Sequence, residues 1–225
     1  MKIYIDTANI QAITEIVTKF PVDGVTTNPT LLAREKAHPM EQLKRIKSVI
    51  GDDMTLHAQV LSQKAEEMIK EAEYMREKLG KELFIKIPVT QEGIKAMKEL
   101  NRRDVHITAT AVYTPMQAVI AAKAGAAFVA PYVNRLDMIG AHGVQVALAI
   151  HTILGGMNSK AQVLAASFKN VEQILKLAEE GASAVTIAPE LIEQLLYHPL
   201  TDKAVMDFIE DFESITSKGV TMVGL

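Results

Sequence analysis

A chain of 225 residues that is 48% hydrophobic can bury one sizeable core, and a single domain spanning 1–225 is expected. Its formal net charge is −3, and no basic patch interleaved with aromatics occurs, so nucleic acid is not expected as a partner. With no cysteine, disulfides, thiolate catalysis and cysteine-bound zinc are excluded.

The N-terminus, MKIYIDTAN, reaches an acid at position 6, too soon for a signal peptide. No apolar run approaches the ~18 residues of a membrane span. A cytoplasmic protein without membrane contact is expected. From there two textures alternate. Short β-branched runs at 3–5, 24–26, 55–60, 83–87, 105–108, 127–130, 162–165 and 184–187 read as eight strands. Segments with helical spacing separate them. In 65–79 the stripe is Met68, Ile69, Ala72, Met75 and Leu79, and in 171–180 it is Ile174, Leu175 and Ala178. Asn9, Thr90, Thr114 and Asn170 suit helix N-caps, Pro115 suits a first turn, and Gly80, Gly125 and Gly181 suit helix ends.

Eight strand–helix units favour an α/β protein built as a closed (β/α)8 TIM barrel. An open doubly wound sheet is the rival, but neither the dinucleotide fingerprint nor the P-loop pattern is present. After the eighth unit, about 202–217 reads as an extra amphipathic C-terminal helix and 219–225 as a tail.

A barrel of this kind carries its chemistry at the C-terminal ends of its strands. Polar residues gather there on seven of the eight: Asp6; Thr26, Thr27 and Asn28; Gln59; Lys86; Thr108 and Thr110; Tyr132, Asn134 and Arg135; Ser167. Lys86 says most. Side chains alternate along a strand, so if Ile85 and Ile87 face the helices, Lys86 points into the barrel. Desolvation lowers the pKa of a buried ammonium, and a neutral amine attacks a carbonyl to give an iminium. The alternatives are a lysine that snorkels out, or one paired with Asp6. Asp6 is either a cap for the first helix or a ligand for a substrate hydroxyl. Arg135 is either a fork for phosphate or a solvated loop residue, and Tyr132 either a core aromatic or a site hydroxyl. The six histidines show no metal-ligand spacing, His142 and His151 being nine apart.

IDTAN at 5–9, GVTTNPTLL at 24–32, KIPVT at 86–90, TAVYTPMQA at 110–118, APYVNR at 130–135 and VLAASFK at 163–169 resemble the transaldolase family. The likeness is strongest to its short branch of fructose-6-phosphate aldolases and small transaldolases, and it runs end to end. It implies a (β/α)8 barrel without metal or cofactor, acting on small sugar phosphates through a Schiff base on Lys86. It implies that Asp6, Asn28 and Ser167 contact the hydroxyls of a dihydroxyacetone unit and that Arg135 and Ser167 receive a phosphate. Thr26 and Ala130 fall within the same motifs as substrate-binding positions. Assembly as a homodecamer of two pentameric rings is implied too. Long-branch transaldolases place Glu on strand 3, Phe at the position of Tyr132 and commonly Ser at that of Ala130. Gln59, Ala130 and Tyr132 therefore match the aldolase pattern, in which Tyr132, Gln59 and Thr110 hold a water that protonates the enamine. The expected activity is cleavage or formation of fructose 6-phosphate, with transaldolase activity as the alternative. The preferred acceptor is not legible in the sequence.

Overall fold

The computed structural model describes residues 1–223 and Leu225. Eight parallel strands close into a barrel in chain order: β1 (Lys2–Asp6), β2 (Gly24–Thr26), β3 (Thr55–Gln59), β4 (Phe84–Pro88), β5 (Ile107–Val112), β6 (Phe128–Pro131), β7 (Gln162–Ala165) and β8 (Ala184–Ile187). The ladder between β1 and β8, with Tyr4 beside Thr186, closes the ring and rules out the open sheet.

Helices alternate with the strands: α1 (Ile10–Lys19), α2 (Pro29–Arg34), α3 (Pro39–Ile50), α4 (Ala65–Leu79), α5 (Gln91–Asn101), α6 (Pro115–Lys123), α7 (Val133–Asp137), α8 (Gly143–Gly156), α9 (Val171–Glu179) and α10 (Pro189–Leu196), followed by α11 (Pro199–Ile215). Asn9, Thr90, Thr114 and Asn170 cap α1, α5, α6 and α9 with their side chains. Each oxygen satisfies one of the orphan N–H groups of a first turn. The chain divides into two compact units, Met1–Ile192, which holds the barrel, and Glu193–Leu225, which holds α11.

Strand alternation sorts the core into two parts. Outward residues, among them Ile5, Val25, Ala58, Ile85, Ile87 and Ile107, join helix residues such as Ile13, Met97 and Leu100 in one continuous core. Inward residues Tyr4, Phe128, Leu164 and Ala184 form a second cluster inside the barrel. Ile85 and Ile87 are fully buried, each stabilising the fold by about 2 kcal/mol relative to exposure. A one-residue slip of β4 would turn both inward and Lys86 out among the helices, so packing of its two neighbours dictates where the lysine points.

β1, β3, β4 and β6 differ from expectation by one residue at one or both ends, and two elements differ by more. The fifth strand was expected at 105–108 and runs over Ile107–Val112. Val105 N–H instead closes the turn after α5 by donating to Leu100 O, with Asp104 left-handed at φ 53°. The threonines at 108 and 110 continue the pleat until Ala111, at φ 57°, where the register to β6 shifts. The C-terminal helix, expected at about 202–217, starts at Pro199, which fills the first turn without needing a donor, and ends at Ile215.

Candidate active site

At the C-terminal mouth of the barrel lies a cavity of ≈ 540 Å³. The ten residues given a catalytic or substrate-binding role from the sequence all line it: Asp6, Thr26, Asn28, Gln59, Lys86, Thr110, Ala130, Tyr132, Arg135 and Ser167; of the other polar strand-end residues Thr108 lines it too, whereas Thr27 and Asn134 do not. Their common location follows from topology, since parallel strands deliver all their C-terminal ends to one face.

Lys86 stands near the middle of β4 with Gln59 of β3 and Thr108 of β5 as its lateral neighbours. It is 6% exposed, so it does not snorkel. Its Nζ donates to the carbonyl oxygen of Thr27 at 2.6 Å. Burial lowers its pKa from the ordinary lysine value, and the nearby Asp6 carboxyl offsets this in part. Asp6 is half-buried at the edge of the cavity, and desolvation raises its pKa. Attraction to Lys86, a hydrogen bond from Thr26, and the charges of Arg135 and Arg34 work the other way. Thr26 Oγ1 donates to Asp6 Oδ1 at 2.8 Å and lies 2.6 Å from Thr186 Oγ1 of β8. Asp6 therefore does not cap α1. That role belongs to Asn9, whose Oδ1 accepts from Ala12 N–H at 2.9 Å.

Asn28 has two tasks. Its Oδ1 accepts from Leu31 N–H at 3.0 Å and caps α2, which leaves its amide nitrogen as the donor towards the cavity. Across the mouth, the Tyr132 phenol is 2.8 Å from Thr110 Oγ1. The Arg135 guanidinium lies over the Tyr132 ring, 4.6 Å from its centroid, and also points a nitrogen at the Tyr113 hydroxyl 3.5 Å away. It is an exposed side chain held by two aromatic residues, not a freely solvated one. Ser167 takes a left-handed backbone, φ 63°, that costs a non-glycine residue of order 1 kcal/mol. Its carbonyl accepts from Asn134 N–H at 2.6 Å, which ties the end of β7 to α7 and so to Arg135.

Beneath the lysine the barrel is plugged by rings. His57 stacks on Phe84 with centroids 4.4 Å apart and meets Tyr4 edge-on at 5.0 Å. Its Nδ1 is 2.9 Å from Thr108 Oγ1. Burial first, and the Lys86 charge second, push its pKa well below the ordinary value, so it is neutral. Among the described residues, no group of three or more His, Cys, Asp or Glu is placed to hold a metal, and no helix is long and apolar enough to cross a membrane.

The cavity also contains residues that sequence reading missed. Thr186 was within reach of the alternation rule, because Ala184 and Thr186 occupy inward positions of β8. Arg34 and Glu190, on α2 and α10, also line the wall. Nothing in their local sequence separates them from surface charges.

A (β/α)8 barrel with a buried, pKa-lowered lysine facing a polar mouth defines the class of enzyme to which this protein belongs. A solved structure described as "Native KDPGal structure" shares the fold, with a TM-score of 0.58 at 14% identity over 88% of this chain and 84% of that one. The match to the family Transaldolase/Fructose-6-phosphate aldolase covers residues 3–223, and the chain belongs to that family. It is 39% identical to a probable transaldolase of Thermoplasma volcanium, over 97% of this chain and 98% of that protein. It is 38% identical to a probable fructose-6-phosphate aldolase of Streptococcus pneumoniae, over 94% and 96%. A probable transaldolase of Kosmotoga olearia is 40% identical over 95% and 96%.

Proposed function

We propose that this enzyme is a class I aldolase that cleaves fructose 6-phosphate to dihydroxyacetone and glyceraldehyde 3-phosphate, or joins them, through an imine on Lys86. The observation that carries this reading is the amine itself, buried in β4 and biased by burial towards its neutral, nucleophilic form.

Neutral Lys86 Nζ adds to carbon 2 of the open-chain ketose, and water leaves as the iminium forms. A base removes the proton of the C4 hydroxyl. The C3–C4 bond then breaks, its electron pair passes into the iminium, and the aldehyde departs with the phosphate. An enamine of dihydroxyacetone remains on Lys86. Asp6 and Asn28 orient its hydroxyls, with Thr26 beside Asp6 and Ala130 leaving room in the wall. Arg135 and Ser167 take the phosphate. Water held by Tyr132, Thr110 and Gln59 protonates carbon 3 of the enamine. Hydrolysis of the resulting iminium then frees dihydroxyacetone and regenerates the amine. The pairing of Tyr132 with Thr110 supports this step.

The relatives called probable transaldolase support a second reading, in which the enamine outlasts protonation and attacks another aldehyde. Product analysis separates the two. Fructose 6-phosphate alone should yield free dihydroxyacetone, whereas strict dependence on erythrose 4-phosphate would make the enzyme a transaldolase. Borohydride with dihydroxyacetone should add a reduced three-carbon adduct to Lys86, and its absence would reject the imine.

The assembly proposed is a homodecamer of two pentameric rings, acting in the cytoplasm. Helix α11 exposes Leu200, Val205, Met206, Phe208, Ile209 and Ile215, an apolar surface suited to a subunit contact. Light scattering on the eluting protein tests this, and a monomeric mass would overturn it.

A further inference from the structure

Thr186 on β8 lines the cavity, and the chemistry above gives it no task. Its Oγ1 lies 2.6 Å from Thr26 Oγ1 of β2. The two strands are not neighbours, because β1 stands between them in the closed ring. The register sets Thr186 beside Tyr4 and Thr26 beside Asp6, so the two hydroxyls meet inside the barrel across β1. Both threonines are buried, Thr186 at 3% exposure and Thr26 at 0%.

The direction of this contact follows from counting protons. A hydroxyl has one proton to donate, and a carboxylate has none. Thr26 commits its proton to Asp6 Oδ1 at 2.8 Å. The proton between the two threonines is therefore that of Thr186, and donation runs one way, from Thr186 to Thr26 to Asp6. A donor polarised by a second donor behind it bonds more strongly, above all to a charged acceptor. The chain occupies one carboxyl oxygen of Asp6. The other, Oδ2, has no hydrogen-bond partner among the described residues and is left for a substrate hydroxyl.

We propose that Thr186 is a positioning residue that acts through Thr26 to fix the Asp6 side chain and keep it an acceptor for a hydroxyl of the bound ketose. This rests on the imine reading, in which Asp6 orients the hydroxyls of the dihydroxyacetone unit on Lys86. Desolvation raises the Asp6 pKa, and the hydrogen bond from Thr26 opposes that rise. Weakening the bond favours the protonated carboxyl, which donates where the carboxylate accepted. The charges that act on Asp6 are Lys86 from β4, Arg135 from α7 and Arg34 from α2, and Glu190 of α10 lines the same cavity. The substitutions at Thr186 alter none of them.

The test begins with the free, full-length enzyme, in which NMR follows the labelled carboxyl carbon of Asp6 as pH falls. Thr186→Val keeps the shape of the side chain and removes its hydroxyl. In that variant Asp6 should bind its proton about 2- to 4-fold more tightly, which moves the titration to higher pH. Thr186→Ser keeps the hydroxyl and should restore the wild-type curve. A merely structural role would lower Tm and leave the curve in place. Borohydride trapping on Lys86 reads the consequence, with dihydroxyacetone and acetone compared below the wild-type midpoint of Asp6. Acetone forms the same imine without a hydroxyl for Asp6, so the ratio of the two cancels the basicity of the lysine. Thr186→Val should lower the preference for dihydroxyacetone about 2- to 4-fold, and in an Asp6→Ala background it should change nothing. An Asp6 titration unmoved by Thr186→Val, or an equal loss of preference in the Asp6→Ala background, overturns the proposal. Should Thr186→Val fail to fold, Thr186→Ala removes the same hydroxyl and is read in the same way. Failure of either ketone to label Lys86 of the wild type overturns the imine reading instead, and the titration of the free enzyme still decides the role of Thr186.

Discussion

The hydroxyls of Tyr132 and Thr110 meet at 2.8 Å across the end of the β5–β6 ladder. Arg135 lies over the Tyr132 ring, and Tyr113 meets that ring edge-on with centroids 5.6 Å apart. The phenol thus has a fixed direction before any substrate arrives. Such preorganisation is what a group needs if it is to hold one water against one carbon.

Tyr132→Phe keeps the ring, and with it the stacking of Arg135, but removes the hydroxyl. Release of free dihydroxyacetone should fall about 100-fold, while transfer to an added aldehyde falls much less. The measurement is the ratio of the two products with fructose 6-phosphate, with and without erythrose 4-phosphate. An unchanged ratio would remove Tyr132 from the protonation step.

Lys86→Met should abolish turnover and borohydride trapping and yet raise stability. Burial lowers the lysine's pKa in the folded chain, so at neutral pH the fold bears the cost of a buried ammonium that the unfolded chain does not. Between the folded pKa and the ordinary 10.5 the unfolded state binds more protons, and stability rises with pH across that window. An apolar side chain of similar length removes the cost. The gain should be about 1 kcal/mol, or roughly 2–4 °C in Tm at pH 7, and the alkaline slope should disappear. Thermal melts from pH 7 to 10 check the sign. A less stable variant would mean that the hydrogen bond to Thr27 outweighs the buried charge.

Asp6→Asn tests the coupling of Asp6 to Lys86. The Asp6 carboxylate raises the Lys86 pKa, so its removal should move the rising limb of the imine-formation rate to lower pH. The pH profile of the trapping rate reads this directly. A limb that stays in place or moves to higher pH would separate the two groups electrically.

Thr114→Ala tests local structure away from the chemistry. Thr114 Oγ1 accepts from Gln117 N–H at 3.2 Å, and Gln117 Oε1 accepts from the backbone N–H of Thr114 at 3.1 Å. Losing this reciprocal cap of α6 should cost about 1 kcal/mol. That corresponds to a Tm lower by roughly 2–4 °C, with the Lys86 adduct still formed. A Tm unchanged within error would show that solvent satisfies the first turn of α6 equally well.

Much of the molecule was readable without coordinates because its signals are local. Strands β2, β7 and β8 lie where their β-branched runs begin and end, and helix α4 spans the expected 65–79. The cap residues could be named because a side-chain oxygen three positions before a free N–H is a short-range relation. β5 was misplaced because Val105 looks like a strand residue and spends its N–H on a turn, while Thr108 and Thr110 read as the polar end of the strand and not as its middle. Asp6 stayed ambiguous for a similar reason: Asn9, three residues on, competes for the cap, and only the position of Thr26 settles which carboxyl oxygen is occupied.

The order of polar strand ends, and the alternation that sends Lys86 inward between two isoleucines, were determined by the sequence alone, because strand period and parallel topology act on neighbours a few residues apart. Tertiary structure decided the rest: that the Thr27 carbonyl receives the lysine, that Thr186 completes the chain to Asp6, and that Arg34 and Arg135 line one cavity. Those pairs lie tens to over a hundred residues apart in the chain, and only closure of the barrel between β1 and β8 sets their distances.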